Sequence, residues 1–290
     1  MKEFSFKGIG TRWNISIDDT GSTEEAEQEI LALVGTFEKR FSRFLPDSEV
    51  NAFRYALPGV YEVSEEFLVL LTRADELRVL TGGAYDPAVG PLLEGAGYDA
   101  SYRMQPDDSV EKFTLPEWEI TQGSLCIDGP TGFDFGGIGK GYCIDRVSDL
   151  LKDLGFKYFI VEAGGDMYGT SKENDEPWKI AIEYPGKEDT AAGVVPLKDG
   201  AVAVSDSFRR RWGRWHHIVD PTKKSPVEDV IGAAVVAPSA WNADCMTSAL
   251  FLSNEEMYAS AAEKYDAAYL VFRSDGVSVV SKSWPGELFV

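Results

Sequence analysis

The sequence predicts an α+β fold: mixed, largely antiparallel sheets with flanking helices, in two closely fused subdomains. Three observations predict it. Two amphipathic helices come early, the chain beyond about residue 158 is mostly short β-rich runs, and strands and helices do not alternate as a parallel βαβ sheet requires. The length of 290 residues suits one large domain or two closely fused subdomains around a sizeable core. Residues 1–290 are read as a single domain. The polar, turn-rich stretch 99–117 is read as a connection between its subdomains or as an insertion.

The elements follow in order. Residues 4–17 read as a strand interrupted at Gly8 and Gly10. Ser22 with Glu25 has the spacing of a capping box, and Ala26, Ile30, Leu33, Phe37, Phe41 and Phe44 recur at helical steps up to Pro46. A second helix starts near Ser64, with the apolar stripe Phe67, Leu70, Leu71, Ala74 and Leu77, and stops at Gly82 and Gly83. After a strand at 125–127, a glycine-rich loop opens a helix carrying Ile144, Val147, Leu150, Leu151 and Leu154, closed by Gly155. Residues 158–163, 178–184, 201–205, 215–219, 231–236, 269–272 and 277–280 read as strands, and 239–252 and 255–265 as helices.

Composition excludes some functions. The formal net charge is -20, so phosphate backbones and anionic membranes are repelled over most of the surface, and any anionic ligand needs a local exception to that field. Nucleic acid and membrane partners are therefore not expected. The cysteines Cys126, Cys143 and Cys245 are odd in number and widely spaced, which fits reduced buried thiols and neither a disulfide framework nor a zinc site. The opening residues lack the apolar core of a secretory signal, and no apolar run reaches the roughly 20 residues of a membrane span, so a cytoplasmic location is expected.

Four segments carry the residue types of a chemical site. In Asp134-Phe-Gly-Gly-Ile-Gly-Lys140-Gly141, glycines let backbone N–H groups approach an anion, a helix start adds its positive end, and Lys140 adds a charge. The spacing is not that of a P-loop. A plain glycine turn into a helix is the alternative, but such a turn needs neither Asp134 nor Lys140. In 205–221, Arg209, Arg210, Arg211 and Arg214 form a cationic island beside His216 and His217, the only histidines, whose ring type exchanges protons near neutral pH. A solvated hairpin is the alternative there. In 242–248, Asp244 and Ser248 share a helix face and present a hard, oxygen-only set suited to Mg²⁺ or Ca²⁺, although two ligands are a weak signal and Asp244 alone reads first as an ordinary helix-surface acid. In 81–91, a glycine pair, Tyr85 and Asp86-Pro87 make a rigid loop or simply a helix stop.

In this order the segments resemble the ApbE family of FAD:protein FMN transferases. The resemblance runs from about residue 9 to 254 through GTRW, FSRFLPDSEVNAF, TGGAYDPAVGPL, DFGGIGKGYCIDRV, VEAGGDMYG, HHIVDP and NADCMTSALFL. It implies an ApbE/T-fold-like architecture and an enzyme that moves the FMN half of FAD onto a Thr or Ser hydroxyl of a target protein, releasing AMP. The resemblance implies that Asp134 and Lys140 contact FAD, and that Ala84, Tyr85 and Asp86 touch the nucleotide. Phe44 stands where a flavin-stacking tyrosine is frequent, Ile9 replaces a common methionine near the ligand, and Ile218 and Ser205 fall in flavin-side stretches. The metal, Mg²⁺ with Ca²⁺ or Mn²⁺ as alternatives, would be held by Asp244, Ser248 and the Gly137 carbonyl, with Thr247 one position off and able to compete. His217 would accept the proton, with Asp220 able to orient it, and Lys140 would stabilise the developing charge, so that Lys140→Ala weakens FAD binding. Departures from the family pattern lie at Ser248, where threonine is usual, at Asp206, and at Lys223-Lys224. The same site would serve a hydrolase that turns FAD into FMN and AMP, or a non-catalytic FAD-binding protein.

Overall fold

The computed structural model describes residues 1–19, 22–187 and 189–289. Among these, the centre is an eight-stranded sheet, antiparallel throughout, whose strands lie side by side in chain order. They are β1 (Lys2–Gly8), β2 (Thr11–Ile17), β3 (Phe159–Ala163), β4 (Asp166–Gly169), β5 (Gly200–Asp206), β6 (Val230–Ala237), β7 (Ala268–Arg273) and β8 (Ser278–Val280). The sheet is thus a simple meander, with one register shift between Val230 and Gly232, interrupted by long excursions, some of which build the site.

The excursion between β2 and β3 carries α1 (Glu24–Phe41), α2 (Glu65–Leu80), α3 (Gly90–Gly95), α4 (Ser109–Lys112) and α5 (Gly139–Asp153). It also carries a small sheet of Gly59–Tyr61, Trp118–Thr121 and Ser124–Ile127. Between β6 and β7 lie α6 (Ala240–Leu252) and α7 (Tyr258–Tyr265). The expected stripe of α2 is buried, and the Ser64 hydroxyl caps that helix by accepting from the Phe67 N–H at 3.2 Å. The start expected at Ser22 is corrected. Thr23 is the N-cap of α1 and makes no side-chain cap bond, while Glu24, Glu25 and Glu27 in the first turn serve the positive helix end directly.

Two strand expectations also change. Residues 215–219 are not one strand. Trp215–His216 pairs with Arg211–Trp212 and Val219–Asp220 with Ser225–Pro226, so His217 and Ile218 sit free of both ladders. Ala191–Leu197, which the sequence reading left out, pairs with Trp178–Glu183. Gly193 and Pro196 disguise it. Pro196 is tolerated because the strand Glu287–Leu288 covers only Gly193 and Val194 on the other side. The stretch 99–117 is not structureless: Val110 and Phe113 join Leu92, Leu93, Trp212 and Trp215 in a second apolar cluster beside the main core. No helix among the described residues is long and apolar enough to cross a membrane.

The contact that fixes the site is between α5 and α6. A Cβ at Gly141 would stand 2.2 Å from the Ala240 carbonyl oxygen and 2.7 Å from the Asp244 Cβ. Backbone cannot swing aside as a side-chain tip does, so Gly141→Ala must push the helices apart. The expected cost is about 1–3 kcal/mol of stability, from overpacking. A melting temperature within a degree of the parent would show that the two helices part freely.

Candidate active site

Residues from the β1–β2 turn and from the excursions after β2, β5 and β6 meet in one cleft of about 340 Å³. Its lining includes Ile9, Phe44, Tyr85, Asp86, Asp134, Gly137, Lys140, Ser205, His217, Ile218, Asp244, Thr247 and Ser248. Of the site residues that the resemblance implied, Ala84 and Asp220 do not line it, and neither do His216, Arg211 and Arg214 of the cationic segment.

The glycine loop is held from both ends of Asp134. Its Oδ1 accepts from the Gly136 N–H at 2.6 Å, which folds the loop, and its Oδ2 pairs with the Nε of buried Arg43. Arg43 in turn donates to the Tyr98 carbonyl at 2.7 Å. The loop delivers Lys140 on the first turn of α5. Its Nζ lies 2.6 Å from Asp166 Oδ2 and 3.2 Å from Asp244 Oδ1. Burial works against the lysine charge, but Asp166 and Asp244 outweigh it, and the net effect raises the lysine pKa. Lys140 is therefore a charge shared between two carboxylates.

Asp244 is 1% exposed. Besides Lys140, it accepts from the Gly141 N–H at 2.9 Å, on the free positive end of α5. Burial still pushes its carboxyl well above the usual range, against the pull of Lys140 and with help from the charge of Asp166. One turn on, the Ser248 hydroxyl donates to the Gly137 carbonyl at 2.7 Å, while a Cβ at Gly137 would meet Ser248 Oγ at 3.0 Å and the Tyr85 ring at 3.1 Å. The loop must pass as close as glycine allows. The Thr247 hydroxyl is engaged elsewhere: it donates to the Asp244 carbonyl at 2.8 Å and accepts from Ser205 Oγ at 3.2 Å. The Tyr85 hydroxyl is buried with no hydrogen-bond partner among the described residues.

The two histidines part company. His216 is buried, with Nε2 2.7 Å from the Val227 carbonyl and Nδ1 accepting from the Ile218 N–H at 3.2 Å, so both nitrogens knit backbone together. His217 lines the cleft, and its Nδ1 is shielded with no partner among the described residues. Burial first, then the cation of Arg210, hold its pKa down to about 3, so its ring is neutral at physiological pH. The idea that Asp220 orients it is corrected. The Asp220 Oδ1 accepts from Thr222 N–H at 2.9 Å and Thr222 O–H at 2.6 Å, and its Oδ2 pairs with Lys223 at 3.1 Å, so the carboxylate folds its own turn.

An aromatic wall completes the cleft. The Phe44 ring stacks on Tyr102 at 5.7 Å, meets Tyr98 edge-on at 5.5 Å, and lies 4.1 Å from the Arg43 guanidinium carbon. Opposite strand ends contribute Ile9, at the tip between β1 and β2, with a left-handed φ of 44° that a β-branched residue adopts only under strain. Asp86 is part of the scaffold: its Oδ1 accepts from Ala88 N–H at 2.8 Å and from the Trp118 indole at 3.0 Å.

The family model for ApbE matches residues 9–271. The chain belongs to the ApbE family. Relatives named FAD:protein FMN transferase include one from Vibrio cholerae, 29% identical over 301 residues, covering 95% of this chain and 89% of that protein. Another, from Haemophilus influenzae, is 27% identical over 306 residues, covering 96% and 88%. Among solved structures, the flavin transferase ApbE from Vibrio cholerae superposes with a TM-score of 0.86 at 27% identity, covering 97% of each chain. The ApbE protein from Thermotoga maritima gives 0.84 at 26% identity, again over 97% of each. The mixed, largely antiparallel α+β fold is thus the ApbE fold.

This ApbE cleft also holds Arg43, Tyr98 and Tyr102, which the sequence reading passed over, and Asp166 stands behind it against Lys140. Asp166 stood inside the quoted AGGD motif, and its being 0% exposed beside Lys140 is what marks it. The donors fit a hard divalent ion. Asp244 is a carboxylate that burial alone strains to keep charged, and Ser248 and the Gly137 carbonyl adjoin it with oxygen atoms only. Among the described residues no three His, Cys, Asp or Glu side chains form a metal-holding group.

Proposed function

We propose that this chain transfers the FMN half of FAD onto a Thr or Ser hydroxyl of an acceptor protein and releases AMP, with a divalent metal, Mg²⁺ before Ca²⁺ or Mn²⁺. One observation carries the reading: a buried oxygen-donor corner at Asp244, Ser248 and Gly137 shares a single cleft with the neutral base His217. The family membership and the relatives' names support it. We also read residues 1–290 as one catalytic unit, because the cleft draws its lining from Ile9 through Leu252.

Asp244, Ser248 and the Gly137 carbonyl would hold the metal, and the Thr247 hydroxyl, bonded to its own helix, is the weaker candidate. A bound metal supplies Lewis-acid neutralisation of the pyrophosphate oxygens. Lys140 and Asp166 keep the Asp244 carboxylate in place. The N–H groups of the glycine loop and the first turn of α5 add fixed positive potential where charge develops. Phe44 and its aromatic neighbours give a ring surface for the flavin. His217 takes the proton of the acceptor hydroxyl as its oxygen bonds to the FMN phosphorus. The bond from that phosphorus to the bridging oxygen breaks, and its electron pair leaves with AMP.

The test is incubation with FAD, Mg²⁺ and a protein carrying the acceptor site. Flavin fluorescence that travels with the acceptor band on a denaturing gel, together with AMP in equal amount, is the expected result. FMN set free with no labelled band would replace transfer with hydrolysis, and neither product would leave a protein that only binds FAD.

A further inference from the structure

Four cations line the cleft: Arg43, Lys140, Arg209 and Arg210. Three of them are matched by carboxylates. Arg43 pairs with Asp134 and Glu94, Lys140 with Asp166 and Asp244, and Arg209 with Glu183 and Asp206. Arg210 differs. Its guanidinium makes two long bonds to neutral oxygens, Nη1 to the Tyr98 hydroxyl at 3.4 Å and Nη2 to the Gly10 carbonyl at 3.4 Å, and among the described residues it has no carboxylate partner. In a chain of net charge -20 an unmatched cation inside a cleft is an exception that calls for a ligand.

Its backbone is preset for one. Asp206 Oδ1 accepts from the Phe208 N–H at 2.7 Å and the Arg209 N–H at 2.8 Å, and Arg211 enters the ladder with His216. The residue is fixed on both sides while its side chain rests on weak contacts. We infer that Arg210, rather than Lys140, is the side chain that ion-pairs with the pyrophosphate of the bound dinucleotide. The inference rests on the FAD reading of this cleft. A guanidinium presents a planar fork that matches two phosphate oxygens, which an ammonium held between two carboxylates does not. The suppressed protonation of His217 has the charge of Arg210 as its largest cause after burial, which places the two groups in each other's field.

The experiment titrates the full-length protein with Mg²⁺-ADP, which carries the pyrophosphate without a flavin, and with riboflavin, which carries the flavin without phosphate. Arg210→Gln and Arg210→Lys are compared with the parent. Arg210→Gln is expected to weaken ADP binding about ten- to a hundredfold, the loss typical of a charge-assisted bond, with riboflavin binding unchanged and Arg210→Lys recovering part of the difference. Parental ADP affinity in Arg210→Gln, or an equal loss for both ligands, overturns the assignment. A parent protein that binds FAD and ADP not at all would instead overturn the FAD reading itself.

Discussion

Asp244→Ala is expected to lower metal-dependent release of AMP from FAD by on the order of a thousandfold or more, since the substitution removes the carboxylate proposed here to hold the ion. The fold should survive. With Asp244 gone, Lys140 keeps Asp166 at 2.6 Å, so no buried cation is orphaned. The Gly141 N–H loses its acceptor, a penalty of about 1–3 kcal/mol. Against that loss, the protein no longer buries a carboxylate whose pKa is raised by burial. The sign of the pH dependence follows. A carboxyl with a raised folded pKa contributes fully at acid pH, and the contribution is lost as pH rises through the folded value. Without metal, the parent should therefore lose melting temperature from pH 4 towards neutrality more steeply than Asp244→Ala does. Turnover within tenfold of the parent in saturating Mg²⁺ would remove Asp244 from the ion site.

Much of this was legible because it is local. The glycine run before a helix, the stripe from Phe67 to Leu77, and an Asp and a hydroxyl one helical turn apart are patterns within one stretch of chain. Pairing across the chain was not legible. Lys140 and Asp244 are 104 positions apart, and nothing in either neighbourhood says that the lysine lies between two acids. The same holds for Arg43 and Asp134, 91 positions apart, where the sequence reading saw only the aspartate. Asp220 misled in the opposite way. Nearness in sequence to His217 suggested a catalytic pair, but an Asx-type turn at 220–223 takes up the carboxylate first. In the sheet, Ala191–Leu197 was hidden because an edge position tolerates the proline that argues against a strand elsewhere.

The second large effect belongs to His217. His217→Ala is expected to lower kcat for transfer by about a hundred- to ten-thousandfold, the range of a positioned general base, with the FAD affinity near that of the parent. The pH profile separates this role from an ordinary histidine. Burial and then the cation of Arg210 hold the ring's pKa down to about 3, so the proposed base stays unprotonated throughout the working range. In saturating metal, kcat/KM should show no acid limb near pH 6.5 from this residue. Stability runs the same way. A histidine whose folded pKa is depressed contributes stability that is present above its unfolded pKa and is lost as pH falls towards the folded value. His217→Gln should thus resist acid unfolding between about pH 6.5 and 3 better than the parent. His216→Gln should do the reverse of a catalytic change: it breaks the 2.7 Å contact to Val227 and the bond from Ile218, lowering stability while sparing the proton transfer itself. A limb near pH 6.5 in the parent that vanishes in an Arg210-intact His217 variant with residual activity would show that the base titrates as a solvated imidazole. The shielded, neutral ring described here would then be wrong.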